Sequence, residues 1–231
     1  MNSHFFATIK KSLNDYKMYG IEVMLSFILV AISCLLVLFM PSIPLFLLIL
    51  IYLCAGISKF ALSVIRTKKI NYENIFLNFK SILIIYSSKI LSLVISFLWT
   101  LLFIFPGILS FINYSFVSFI VADGEKSSYE ALSKSKKLTQ NVRFQILIIY
   151  LSMILFALIC LCASFGVTLL VNYIYDLPFF VDTIISIFLS LLPLYLFILP
   201  FQKLCISNIY IEQKTIFDGN EKEFKKVASR R

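Results

Sequence analysis

Charge is what this chain has least of. Only 14% of its 231 residues are Asp, Glu, Lys or Arg, and 60% are hydrophobic, with a mean hydropathy of +0.94. Soluble proteins carry about 25% charged residues. So large an apolar excess cannot be enclosed in one core and still leave a wettable surface. That excludes an ordinary cytosolic enzyme, a disordered regulator and a secreted disulfide scaffold. Histidine is nearly missing as well: His4 stands alone in the N-terminal arm, away from any acidic neighbour, and no H-E-x-x-H occurs. The six glycines are scattered singly, leaving neither a Walker loop nor a G-x-S-x-G. The cysteines, Cys34, Cys54, Cys160, Cys162 and Cys205, lie in or beside apolar runs without a C-x-x-C. An odd count of this kind reads as small apolar filler, not as a disulfide or metal framework. A Ser–Lys pair built on Lys59 or Lys89 carries no information where serine is abundant throughout the apolar runs. The expectation is therefore a non-enzyme with no catalytic residue, no metal ligand and no cofactor.

What is present is length of apolar run. A crossing needs about 20 apolar residues to span about 30 Å of hydrocarbon. The expected architecture is all-α and polytopic, with six transmembrane helices at about 21–39, 45–65, 85–105, 107–122, 144–171 and 180–201. They form a single transmembrane domain over residues 1–212, followed by a basic cytoplasmic tail at 213–231. The stretch from Ser81 to Ala122 decides the count, because it is far too long for one crossing. Turning it at Pro106-Gly107 gives two crossings, the second short enough to be re-entrant instead. In that arrangement every Lys and Arg falls on one side or at its boundary, from Lys10, Lys11 and Lys17 through Lys126, Lys134, Lys136, Lys137 and Arg143 to the C-terminal cluster. The positive-inside rule then puts both termini in the cytoplasm of a cell membrane. It also accounts for the +9 net charge without nucleic acid, which is not expected as a partner. Ala31-Ile32-Ser33-Cys34 faintly resembles a lipoprotein cleavage box. The apolar run continues past Cys34 to Phe39, so a retained first helix is the expectation.

Each pair of crossings is preceded by an amphipathic stretch, expected to lie along the cytoplasmic interface. Phe5, Ile9, Leu13 and Tyr16 mark the first; Ile75, Phe76, Phe79, Leu83 and Tyr86 the second. The third, 127–141, opens with a capping box, Ser127-x-x-Glu130, carries Ala131, Leu132, Ser135, Leu138 and Val142 as an apolar stripe, and spaces Glu130 one turn from Lys134. The units share only fragments such as Leu25-Ser26 and Leu151-Ser152, so a shared way of folding is a better reading than a transporter's internal repeat.

Ionisable residues inside a bilayer mark function by default. The candidates are Glu22, Lys59, Lys89 and Asp182. Glu22 and Asp182 sit at span ends, and Lys59 can snorkel to the cytoplasmic side. Lys89 is the deepest if the third helix begins at Ser81, or an anchor at the helix start if the interfacial helix reaches Ser88; the anchor is the preferred reading. On the fourth helix Ser110, Asn113, Ser115 and Ser118, with Tyr114, either line a polar groove or glue helices together, with packing preferred. The candidate binding residues are Lys89, Asn113, Tyr114 and Ser115 for a groove, and Lys134, Lys136 and Lys137 for lipid headgroups.

The segment Leu98-Trp99-Thr100-Leu101-Leu102, then Pro106-Gly107-Ile108, Asn113-Tyr114-Ser115, Ala122-Asp123 and Glu130-Ala131-Leu132 with Ser135 and Leu138, resembles a bacterial family of multi-pass integral membrane proteins of unknown function. It is more distantly similar to the membrane domain fused to some glycerophosphodiester phosphodiesterases. The likeness is best over residues 90–155 and implies a membrane architecture. It transfers no catalytic residue, because the family has no settled activity, and phosphodiesterase activity is not expected without that enzyme's soluble domain. The chain departs from the pattern at Gly124-Glu125-Lys126, where the family commonly has a Pro-containing turn. The functional expectation is an inner-membrane protein accessory to envelope transport or to export of a peptide or lipid. A self-contained small transporter and an immunity-type protein against a toxic peptide are the alternatives. Expected partners are anionic lipid headgroups and another membrane protein or an ABC transporter subunit.

Overall fold

The computed structural model describes residues 2–38, 43–68, 79–175 and 198–228. Within them the chain is helix and turn, with no strand: α1 (Asn2–Leu38), α2 (Ile43–Thr67), α3 (Phe79–Leu102), α4 (Ile104–Asn113), α5 (Val117–Ala122), α6 (Ser128–Thr139), α7 (Arg143–Tyr175) and α8 (Leu199–Ala228). Three stretches among the described residues are long and apolar enough to cross a bilayer, at Lys80–Leu102, Ile104–Ala122 and Arg143–Leu170, and they make this a helical membrane protein. The expected turns at Pro41 and Pro178, most of the sixth span, and residues 73–78 of the second amphipathic stretch lie outside the described residues.

The first amphipathic stretch is not a separate interfacial helix. It runs into the apolar segment as one helix of 37 residues, because only Gly20 stands between them, and a Cβ at that position would lie 3.2 Å from the Tyr16 ring. A single helical glycine costs about 1 kcal/mol, too little to break a helix held on both sides. The polar arm of α1 lies antiparallel on α8. Thr8 donates to Glu212 at 3.1 Å, Asn208 donates to Ser12 at 3.1 Å and to Asp15 at 3.0 Å, and Tyr16 meets Phe201 edge-on at 5.8 Å. The second stretch likewise merges with a span, since Phe79 to Tyr86 belongs to α3. The expected basic tail is helical as far as Ala228, an unbroken continuation of α8.

Lys68 closes α2 with φ +54, in the left-handed region usually taken by glycine. Its side chain reaches Asp15 at 2.8 Å and its carbonyl accepts from the Tyr19 hydroxyl at 3.3 Å, contacts that offset the strain. Together with a core of Val23, Ile57, Phe60, Ala61, Val64 and Leu204, they join α1, α2 and α8.

The chain reverses between α3 and α4 at Phe103, which is extended, and not at Pro106-Gly107. Pro106 falls in the first turn of α4, where a backbone N–H has no helical partner to lose. Gly107 has a different duty. A Cβ there would stand 2.1 Å from Thr100 Oγ1 and 2.8 Å from Thr100 Cα, so α3 and α4 touch backbone to side chain. Ser96 also donates to Ser110 across the pair at 3.1 Å.

Residues 114–116 break the returning helix into α4 and α5. The Val117 N–H turns to the Tyr114 carbonyl at 3.3 Å, which frees the carbonyl of Asn113. Ser135 of α6 donates to that carbonyl at 2.7 Å and Thr139 at 3.4 Å, and both hydroxyl residues are fully buried. The turn after α5 is equally defined. Gly124 has φ +101, its N–H bonds the Val121 carbonyl at 3.0 Å, and the Glu125 N–H bonds the Ile120 carbonyl at 3.3 Å. This pairing is a Schellman motif, which asks for glycine at this position.

The third amphipathic stretch does form its own helix, α6, and Ser127 caps it by accepting from the Glu130 N–H at 3.4 Å. Two substitutions separate the cap from the lock. Ser127→Ala should cost about 1 kcal/mol by exposing a helix-end donor. Ser135→Ala leaves the buried Asn113 carbonyl with only the longer bond from Thr139, at 3.4 Å, and should cost about 1–3 kcal/mol. Amide exchange across residues 130–138 is expected to accelerate more in Ser135→Ala. Equal acceleration in both would show that the Asn113 carbonyl is not what holds α6.

Candidate functional site

Two cavities sit back to back along the seam of α5 and α8. The first, about 340 Å³, lies between α3, α4–α5 and α8. From α3 come Lys89, Ser92, Leu93 and Ser96; from the α4–α5 segment Phe111, Tyr114, Ser115, Ser118 and Phe119. Tyr150 of α7 and Gln202, Lys203 and Ile206 of α8 complete it. Three residues read from the sequence as groove candidates, Lys89, Tyr114 and Ser115, thus come together. Lys89 is not an anchor at a helix start. It lies within α3, roughly 14 Å along the axis from Lys80 at about 1.5 Å per residue.

The groove's floor is polar and its lip is apolar. The Ser115 hydroxyl oxygen is buried without a hydrogen-bond partner among the described residues. Ser118 and Gln202 are buried, at 4% and 8% exposure, and neither makes a hydrogen bond among the described residues. Lys203 donates to Ser58 at 3.1 Å and stands 5.8 Å above the Phe119 ring, so its ammonium group is aimed before any ligand arrives. At the lip, Leu93 is 66% and Phe111 59% exposed. The mouth therefore opens sideways onto the apolar surface of two candidate spans.

Asn113 does not line this groove. It borders a small neighbouring cavity of about 180 Å³ with Trp99, Ser110 and Lys136, and its buried Oδ1 has no partner among the described residues. The three α6 lysines have different neighbours. Lys134 pairs with Glu125, Lys136 turns toward α4, and Lys137 is exposed in the last turn.

The second cavity, about 510 Å³, lies at the polar end beside Asp123, which follows α5. Asp123 was not among the expected site residues, yet it gathers more strong donors than any of them. Arg66 of α2 grips it with two bonds, at 2.5 and 2.9 Å, Tyr210 donates at 2.6 Å and Lys214 at 2.7 Å. Burial pushes the Asp123 carboxyl up, but the bonds from Arg66, Lys214 and Tyr210 outweigh it and hold the group below its ordinary value. Burial and the bond to Asp123 raise the Tyr210 hydroxyl far above its ordinary range, so it stays a donor. The bond to Asp123 likewise raises Arg66. The hydrogen bond from Lys134 holds Glu125 below its ordinary value at the same cavity's rim.

Tyr210 also forms the partition between the cavities. Its ring stacks on Phe119 at 5.6 Å and meets Phe116 edge-on at 5.5 Å. Cys205, one turn earlier, is pushed up to about 11 by burial, which leaves it an inert thiol at neutral pH. The only sequence signal for this node was an acidic residue closing an apolar run. Arg66, Tyr210 and Lys214 are too distant in sequence for spacing to pair them. No family model, curated protein or solved structure matches the chain.

Proposed function

We propose that this is a non-enzymatic, six-span cell-membrane protein that holds an amphiphile in the groove between α3, α4–α5 and α8, as an accessory to export of a lipid across the envelope. One observation carries the reading: hydroxyl and ammonium groups line the floor of a cavity whose lip is exposed and apolar. A soluble metabolite has no use for such a lip, and a lipid tail has no use for such a floor. The six-span reading draws support from the antiparallel seat of α1 on α8, which sets the two terminal helices' polar halves at one end of the bundle. The node that ties the ends of α2 and α5 to α8 lies at the same end.

In an otherwise cysteine-free variant, Phe103→Cys, at the exposed α3–α4 turn, should react with an impermeant thiol reagent on intact cells. Lys137→Cys, exposed on α6, should react only after permeabilisation. Ser135, the more obvious reporter from sequence, is fully buried and would stay silent in either topology. Labelling of position 137 from outside would overturn the orientation. For the groove, native mass spectrometry of protein taken from membranes in mild detergent should find a retained amphiphile. Leu93→Trp, at the lip, should reduce that retention several-fold. Wild-type protein free of any such adduct, with transport in the host unaffected by Leu93→Trp, would end the proposal.

A further inference from the structure

We propose that the groove selects an uncharged, hydroxyl-bearing headgroup, a single sugar ring, held by Ser115, Ser118 and Gln202; this rests on the amphiphile reading above. Five side chains lining the groove make no hydrogen bond among the described residues: Tyr114 and Ser115 at the break between α4 and α5, Ser118 of α5, Tyr150 of α7 and Gln202 of α8. The Ser115 oxygen is buried, and Ser118 and Gln202 are 4% and 8% exposed. Buried polar groups are costly to leave unmet, so these are open to a ligand. Lys89 and Lys203 line the same groove, but each is held by partners within the protein. Ser92 and Ser96 already donate, to the Lys89 carbonyl and to Ser110. The groups left to a ligand are therefore neutral.

Their chemistry narrows the ligand. Each hydroxyl both donates and accepts, and the Gln202 amide offers two donors and an acceptor. A phosphodiester can only accept and an ammonium group can only donate, so either leaves part of this array unmet. A ligand hydroxyl does both, and reproduces the bonds of any water it displaces. The groups approach from three sides, the α4–α5 segment, α7 and α8, which suits a ring carrying hydroxyls around its edge better than one terminal alcohol. Phe111 and Tyr150, meeting edge-on at 5.5 Å in the same lining, supply apolar surface for the C–H faces of such a ring. At about 340 Å³ the cavity is at the lower end of the roughly 300–1,000 Å³ of small-ligand pockets, with room for one ring and not for a chain of them. The tails have a track as well: Leu93 at the lip and Phe97 one turn on are 66% and 64% exposed along one face of α3.

The full chain in phosphatidylcholine nanodiscs, doped equally with monoglucosyldiacylglycerol and phosphatidylglycerol and free of glycoside detergent, tests this, with bound lipid read by native mass spectrometry. Wild-type protein should retain the glucolipid in preference to both phospholipids. Gln202→Leu should weaken that preference roughly tenfold and Ser115→Ala about threefold, as expected for the loss of two hydrogen bonds and of one. Neither group has a hydrogen-bond partner among the described residues, so neither change should lower the thermal midpoint. A midpoint lowered in both variants would show that these groups serve the fold, and overturns the inference. Equal retention of the three lipids, unchanged in the variants, overturns the headgroup inference and leaves the amphiphile reading standing. A preference for phosphatidylglycerol does the same. Retention of no lipid overturns both. Displacement of the glucolipid by millimolar methyl glucoside, with no lipid preference left, overturns the lipid as the source of the sugar.

Discussion

Asp123→Ala is expected to unfold the polar end of the bundle before any other single change to a side chain. It leaves the Arg66 guanidinium, the Lys214 ammonium and the Tyr210 hydroxyl with no common acceptor, and it unties α2, α5 and α8 from each other. Breaking a buried ion pair costs about 3–5 kcal/mol. Arg66 and Lys214 are 40% and 34% exposed, so water relieves part of the penalty, and about 3 kcal/mol is the expected loss. The pH dependence follows from the direction of the shift. The folded carboxyl titrates below its ordinary 3.8, so its contribution is complete above that value and is lost as pH falls through the lowered folded value. Wild-type thermal stability should therefore fall between about pH 4 and more acid conditions, and Asp123→Asn should flatten that limb. An acid limb that is as steep in Asp123→Asn as in the wild type would assign it to other carboxylates. Helix content in detergent reads both effects.

Gly107→Leu should be the second most damaging change, by steric means. The Cβ has no room against Thr100, where the obstruction includes backbone as well as the hydroxyl. Overpacking of this kind costs about 1–3 kcal/mol, more where backbone must move. Gly107→Ala should show the same defect in milder form, and Thr100→Ala in that background should restore only part of it. The hydroxyl clash is removed, but the contact at 2.8 Å with the Thr100 Cα remains. The groove is the sensitive reporter, because Ser96 and Phe111 flank the same helix contact from its inner side. Amphiphile retention should drop with Gly107→Ala even if the thermal midpoint barely moves. Full rescue by Thr100→Ala would show that α3 and α4 are held apart by the hydroxyl alone.

Local chemistry was legible along the chain wherever a few neighbouring residues decide the outcome. Ser127 and Glu130 announced the start of α6, and the helix begins there. The apolar runs located three stretches able to cross a bilayer. Lys89, Tyr114 and Ser115 could be singled out as polar groups in an apolar setting, and they share one cavity. Pro106-Gly107 was legible as special but misread as a turn. Proline fits a helix's first turn as readily as a loop, and glycine serves close helix packing as readily as a bend. The first two amphipathic stretches were misread as separate helices because periodicity shows which face is apolar, not whether the helix stops.

Composition and periodicity by themselves determined that this chain is helical and belongs in a membrane, since burial of that much apolar surface admits little else. Tertiary structure alone decided which polar groups meet. Arg66, Asp123, Tyr210 and Lys214 converge from three helices, and Lys89 faces a cavity shared with Lys203 more than a hundred residues away. The carbonyl of Asn113, not its side chain, became the seat of α6. Such pairings are set by helix packing between segments far apart in sequence, where the energy of a contact depends on partners that no local pattern encodes.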